Sequence, residues 1–339
     1  MARAVFFASA LFFLCVVRGA RRIAGVDDAV DVASPAALLA GGLQAPESPV
    51  GVAERGGDAE GFLGAAFETE GPADDEDYSF EFPGNVIARK VVWLIRHGEA
   101  VHNIEEDRAA MEAADEAARA GHDPSSAEFV ERVAAARRAA LSNAHLHDAA
   151  LTEEGKAQVE AARAVIEGLV HNRHLPMPTR VLTSPLQRAL QTTAIIFPDH
   201  PGVHMRECLR ERRTGLPCDE RQPAVAINKR ASFAFMSSLS LLRLEHDGLT
   251  VEGGREETKP KLRSRTFQII DELLSFPDIS ICVVTHKAWL RELERGPFNR
   301  PGASEFRNCE VRAYDVEMLT DGHIEATLIY AGDDPAGIA

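Results

Sequence analysis

Residues 279–285 read ISICVVT, apolar or small at nearly every position, so a strand built from them has no face suited to water. A strand buried on both faces belongs in the middle of a sheet with layers above and below it, as in parallel sheets covered by helices. The run is too short to cross a bilayer as a helix. Around it, strand-like and helix-like segments alternate from Lys90 onward. Lys90 to Ile95 is a β-branched run, and Arg180 to Thr183 and Val203 to Arg206 are further short strands. Thr152 caps a helix from Glu153 to Val170, whose Val159, Ala162, Ile166 and Leu169 recur at helical spacing. Helices follow over Leu186 to Ile196, ended by Pro198, then Glu257 to Phe276 and Lys287 to Arg295. Glu310 to Met318 and Ile324 to Tyr330 flank the turn signal Asp321-Gly322 and form a closing hairpin. Residues 104–147 read as a helical insertion whose two pieces part at Gly121 and Pro124. The expected fold is a three-layer α/β/α sandwich on a mostly parallel central sheet.

Charge separates this domain from what precedes it. The chain has 339 residues and a formal net charge of −15, yet residues 23–88 alone hold 14 acidic side chains against the single Arg55. That stretch, rich in Gly, Ala and Pro, reads as an acidic disordered linker over 23–89. Before it, residues 1–22 place Arg3, an apolar run from Ala4 to Val17 and then Arg18 to Arg22 in the order of a secretory signal peptide, or of an uncleaved anchor. The expected organisation is therefore a signal or anchor over 1–22, the linker, a catalytic domain over 90–332 and a disordered tail over 333–339. It points to the secretory route or an organelle, with the cytoplasm as the alternative. No basic stripe stands against the negative charge, so nucleic acid is not an expected partner. No stable membrane span is expected once a signal is removed, and the sequence does not set the oligomeric state. Cys208, Cys218, Cys282 and Cys309 lack metal-type spacing, so no metal is expected. Cys282 belongs to the buried strand, and Cys208 with Cys218 is the one nearby pair able to bridge.

The chemistry gathers at three strand-to-helix junctions. Arg96 and His97 follow the first strand, Arg188 stands in the helix after Ser184 and Pro185, and His286 follows Thr285. In a parallel sheet such junctions meet at one edge, where ligands bind. Two guanidinium groups and two imidazoles there make a pocket for a phosphoryl group, since a planar guanidinium forks two hydrogen bonds onto phosphate oxygens.

The run LIRHGEAVHN from Leu94 to Asn103, together with Ser184, Pro185, Arg188, Ala189, Gln191 and Thr192 and with Val284, Thr285 and His286, resembles the histidine phosphatase superfamily. The likeness spans roughly Lys90 to Tyr330. Arg210, Glu211, Arg212, Gly215, Pro217, Cys218, Asp219 and Arg221, with Asn308, Cys309 and Glu310, are most similar to the plant and algal phosphoglycerate-mutase-like proteins, and Asp148, Leu151, Thr152 and Gly155 fit the same pattern.

The resemblance implies a phosphoglycerate mutase-like fold and a metal-independent, cofactor-free phosphomonoester hydrolase acting on a small phosphorylated metabolite. His97 is implied as the nucleophile, with Arg96, Arg188 and His286 binding phosphoryl oxygens and Asn103 supplying an amide contact. Glu211 is the candidate proton donor and Asp219 the reserve, because Lys287 stands directly after His286 where the acid-phosphatase branch often carries Asp. Glu99 and His102 read as orienting or rim residues. Arg212, Arg213, Arg221, Lys229 and Arg230 are candidates for a second anionic group. A phosphoglycerate-type mutase is the alternative. It is disfavoured because the aromatic and charged residues of the mutase pattern are replaced by Ala100, Val101 and His102, and by Arg213 and Thr214. A non-catalytic phosphate-binding module is disfavoured because the whole cationic set is present.

Overall fold

A computed structural model describes residues 85–237 and 256–332. The signal-like start, most of the acidic linker and the tail from 333 lie outside the described residues. Six strands form one sheet: β1 (Val86–Arg96), β2 (Arg180–Thr183), β3 (Val203–Met205), β4 (Ser280–Thr285), β5 (Val311–Leu319) and β6 (Ile324–Ala331). Their spatial order is β3-β2-β4-β1-β5-β6. Strands β3, β2, β4 and β1 are parallel neighbours, while β5 runs antiparallel to both β1 and β6. All six residues of β4 are buried, as its composition requires.

The helices are α1 (Val101–Arg119), α2 (Ala127–Leu141), α3 (Glu153–Arg173), α4 (Gln187–Ile196), the short α5 (Ala224–Asn228), α6 (Lys259–Ser275) and α7 (Lys287–Arg295). Strand alternation sorts the core into two layers. Trp93, Ile95, Cys282 and Val284 pack with Val159 and Ile166 of α3 and Leu190 of α4 on one face. Val92, Leu94, Ile281 and Val283 pack with Leu262, Ile269 and Leu273 of α6 and Leu290 of α7 on the other. The expected three-layer sandwich is present. No helix among the described residues is long and apolar enough to cross a membrane.

Two boundaries differ from expectation. Strand β1 begins at Val86, so residues 86–89 belong to the sheet and not to the linker: Ala88 and Arg89 pair with Met318 and Glu317 of β5. Arg89 also forks onto the Asp315 carboxylate. Polar, alternating exposure hides these residues in the sequence, since only the far half of the strand is buried throughout. The helical insertion likewise begins at Val101, which places His102 and Asn103 inside the first turn of α1. Asn103 starts that turn by accepting the Ala100 amide through Oδ1 at 3.0 Å, the returning half of a capping box.

The junction after β1 rests on two glycines. A Cβ on Gly155 would meet the Glu99 carbonyl oxygen at 2.0 Å, and one on Gly98 would meet the Gly155 oxygen at 2.7 Å and the Val159 side chain at 2.9 Å. The segment carrying His97 thus lies directly against the first turn of α3, a closeness only glycine permits. Thr152 reinforces the contact: its hydroxyl accepts the Gly155 amide at 2.8 Å and donates to Glu99 Oε1 at 2.7 Å. Gly155→Ala is expected to cost about 3 kcal/mol through this overlap, read as a lowered urea midpoint at unchanged slope. A loss under about 0.5 kcal/mol would show that the two backbones are not in contact.

Candidate active site

The parallel registers align Arg96 of β1 with Thr285 of β4, and Thr183 of β2 with Val284 of β4 and Met205 of β3. All four strands therefore end at the same edge, and the residues after them converge there. His97 is buried, with its amide on the Thr285 carbonyl at 3.0 Å and its own carbonyl accepting from Cys309 at 3.3 Å.

The His97 ring has a determined tautomer. Nδ1 lies 2.7 Å from the Gly98 carbonyl oxygen, which can only accept, so Nδ1 carries the proton. Nε2 then presents a lone pair, and Arg188 Nε donates to it at 3.2 Å. Arg188 is itself 1% exposed, and its Nη1 donates to the Cys218 carbonyl at 2.7 Å. Arg96 donates from Nη1 to the Phe306 carbonyl at 3.0 Å. His286 closes the far side, its ring 5.0 Å from that of His97 and its Nε2 2.7 Å from Ser184 Oγ. Arg96, His97, Arg188 and His286, expected from the sequence to meet, do meet.

A third imidazole joins them. His102 is buried, with its ring 6.0 Å from that of His97. The sequence placed it as an orienting or rim residue, and the structure puts it inside. Its spacing of one residue from Asn103 at the start of a helix was visible, but which way the first turn faces was not. Asn103 Oδ1 is occupied by the Ala100 amide and by Asn308 Nδ2, and its Nδ2 faces His102 Nε2 at 3.1 Å. Asn103 therefore holds His102 through one hydrogen of its amide nitrogen. Glu99, read from the sequence as an orienting or rim residue, accepts from the Thr152 hydroxyl and has its amide on Gln158.

The segment from Arg206 to Arg221 lies across the pocket and is held by buried charge. Arg265 of α6 donates to the carbonyls of Cys208 at 2.6 Å and Arg210 at 3.0 Å while pairing with Glu257. Trp289 Nε1 also donates to the Cys208 carbonyl, and Thr285 Oγ1 to that of Leu209. These bonds present Glu211, whose Oε1 accepts from the Arg212 amide at 2.9 Å and whose Oε2 accepts from Ala288 in α7 at 3.4 Å. Asp219 is deeper, its Oδ2 accepting from the Thr214 amide and hydroxyl and its Oδ1 4.0 Å from Arg188 Nη2.

Two expectations are corrected here. Arg213 and Arg221 are buried and pair with Glu220 and Glu207, so they brace the segment and do not await a second anionic group. Only Arg212, Lys229 and Arg230 of that cluster keep partial or full exposure. Cys208 and Cys218 are free thiols, so the bridge considered from their spacing does not form. Lys287 reaches toward Glu305 at 3.7 Å, yet its charge is still felt by His102. Among the described residues no cluster of His, Cys, Asp or Glu has the makings of a metal site.

A family model described as the histidine phosphatase superfamily (branch 1) matches residues 135–320, more than half of the chain. The chain belongs to this superfamily. The match takes in Arg188, Glu211 and His286 and begins downstream of His97. No curated protein matches the chain. Solved structures similar to this superfamily member include a mycobacterial glucosyl-3-phosphoglycerate phosphatase with VO3, 18% identical over 71% of this chain and 96% of that one, at a TM-score of 0.40. A phosphoserine phosphatase from Entamoeba histolytica in complex with 3-phosphoglyceric acid is 17% identical over 74% of this chain and all of its own, again at a TM-score of 0.40.

Burial and the two arginines set the ionisation of the pocket. His97, His102 and His286 are all held well below their ordinary 6.5, first by burial and next by the charge of Arg188. Asp219 moves the opposite way for the same reason, burial pushing it up to about 6. The unfolded chain therefore binds protons at these histidines that the folded pocket refuses, so their contribution to stability is full above 6.5 and falls as pH drops below it. Asp219 opposes this, because its folded form keeps a proton that the unfolded form releases between 3.8 and about 6. Each histidine supplies a slope of up to about 1.4 kcal/mol per pH unit. Three histidines against one aspartate should make the unfolding free energy decline from pH 6.5 to 5, and Asp219→Asn should steepen that decline. Urea titrations across this range check it. A flat profile in both proteins would contradict a pocket of buried neutral imidazoles.

Proposed function

We propose that the protein is a metal-independent phosphomonoester hydrolase working through a phosphohistidine on His97. The observation that carries this reading is the locked tautomer. With Nδ1–H tied to the Gly98 carbonyl, Nε2 offers its lone pair into a pocket walled by Arg96, Arg188 and His286, where a phosphoryl group has cationic partners. A histidine held neutral by its surroundings is also one that needs no deprotonation before attack.

In the first step His97 Nε2 bonds to phosphorus in line with the ester oxygen, and the P–O bond breaks. Arg96 and Arg188 offset charge on the non-bridging oxygens as the transition state spreads it over them. The departing alkoxide takes a proton from Glu211, our assigned general acid. Water then attacks phosphorus and gives its proton to the Glu211 carboxylate, the P–N bond breaks, and inorganic phosphate leaves with His97 restored. Glu211 suits both halves, because its carboxylate is aimed by two backbone amides, that of Arg212 on its own braced segment and that of Ala288 in α7. Asp219, facing Arg188 and near neutral in its titration, is the second candidate.

The purified protein should hydrolyse p-nitrophenyl phosphate in the presence of a chelator, and His97→Ala should reduce the rate by about 10³-fold or more. Acid quenching should trap a phosphohistidine in the parent protein. Transfer of that phosphoryl group to added 3-phosphoglycerate in preference to water would make the protein a mutase, and full activity in the His97 variant would remove it as nucleophile. Glu211→Gln should slow alkyl phosphates by about 10²-fold while affecting p-nitrophenyl phosphate, with its better leaving group, far less. Equal losses on both would move the proton donor to Asp219.

A further inference from the structure

We infer that His102 is a substrate-contacting residue whose Nδ1–H donates to an oxygen of the phosphoryl group bound at His97. The inference rests on the phosphoryl-transfer site proposed above.

The chain of hydrogen bonds fixes which ring nitrogen of His102 carries the proton. The Ala100 amide donates to Asn103 at 3.0 Å, which identifies that atom as the carbonyl oxygen Oδ1 and leaves the amide nitrogen as the atom facing His102. Asn103 Nδ2 can only donate, so His102 Nε2, 3.1 Å away, accepts. The proton of the neutral ring is therefore on Nδ1. Neutral is the form present, since burial, then Arg188, Arg96 and Lys287, hold the ring well below 6.5.

That Nδ1–H has no hydrogen-bond partner among the described residues, although the side chain is only 8% exposed. A buried donor without an acceptor is a cost that folded proteins rarely carry, and an apolar side chain of similar size would avoid it. His102 carries it 6.0 Å from the ring of His97, among the same two arginines. A phosphoryl group seated at His97 brings three oxygens into that space, each able to accept. Asn103 then becomes a positioning residue for His102 as well as a neighbour of the phosphate: it selects the tautomer that points a donor, not a lone pair, toward an anion. A lone pair there would repel the oxygens, so the direction of the Asn103 amide decides whether the third imidazole helps or hinders.

The test uses the full chain and orthophosphate, with orthovanadate as a tighter probe. His102→Phe, which fills the space and removes the donor, should weaken orthophosphate and orthovanadate binding by about tenfold and lower kcat/KM by a similar factor. His102→Asn places an amide hydrogen near the position of Nδ1–H and should recover most of both. In the parent protein labelled with 15N-histidine, orthophosphate should shift the His102 Nδ1 resonance. Equal binding by the parent and the Phe variant overturns the inference, as does an Asn variant no better than Phe. If the Phe variant fails to fold, an unmoved Nδ1 resonance on saturation with orthophosphate overturns it alone. These anion titrations do not require turnover. A protein that binds orthophosphate through His102 but hydrolyses no monoester would refute the hydrolase reading and keep this one.

Discussion

The backbone of Gly98 and Glu99 lies on the backbone of Gly155, and the site is assembled from that contact. It fixes where β1 stops being a strand, because the chain can pass α3 only where neither side carries a Cβ. Once the passage is set, His97 is turned so that its ring meets its neighbour's carbonyl, and the lone pair on the far nitrogen has one direction left. Thr192, one turn along α4 from Arg188, donates its hydroxyl to the Arg188 carbonyl at 2.8 Å and accepts the Gly98 amide at 3.1 Å, tying the arginine's helix to the same point. His97 and Arg188 are thus referenced to a single backbone position and not to each other's flexible side chains.

Charge is used twice in this protein and in opposite ways. Around His97 it is set against neutral groups, with Arg96 and Arg188 donating to the Phe306 and Cys218 carbonyls beside imidazoles that burial keeps neutral. Beneath the segment from Arg206 to Arg221 it is fully spent: Arg210 pairs with Glu207, Arg221 with the same carboxylate, Arg213 with Glu220 and Arg265 with Glu257. Breaking one partner of a buried pair costs about 3–5 kcal/mol, whereas the pair itself adds little net stability. Such a network is better at specifying one arrangement than at strengthening it, which suits a segment whose work is to hold one carboxylate in place.

Much of this was legible in sequence, and the failures share a cause. Strands β2 and β4 and helix α7 were evident because their composition matches a uniform environment, buried on both faces or on one stripe. The first residues of β1 were not, because half of each pair there faces water. Arg96, Arg188 and His286 were readable from their position after strands, where the topology of a parallel sheet dictates convergence. The burial of His102 and the pairing of Arg213 and Arg221 were not legible because both depend on direction. An arginine in a loop looks the same whether it greets solvent or a buried glutamate, and an imidazole in a first helical turn looks the same at the rim or inside.

The helical hairpin α1–α2 adds one more property. Its two ends are joined by a bridge between Ala100 and Leu151 and by the bond from Val101 N to the Ala150 carbonyl at 3.0 Å. All of its chemistry, His102 and Asn103, sits in the turn beside that clasp. Beyond the clasp the hairpin is tied to the braced segment, with Leu141 at the end of α2 packing beside Leu216 and Cys218 and Arg138 pairing with Glu256, so a change in its length would reach Arg188 through the Cys218 carbonyl while the register of the sheet stays as it is.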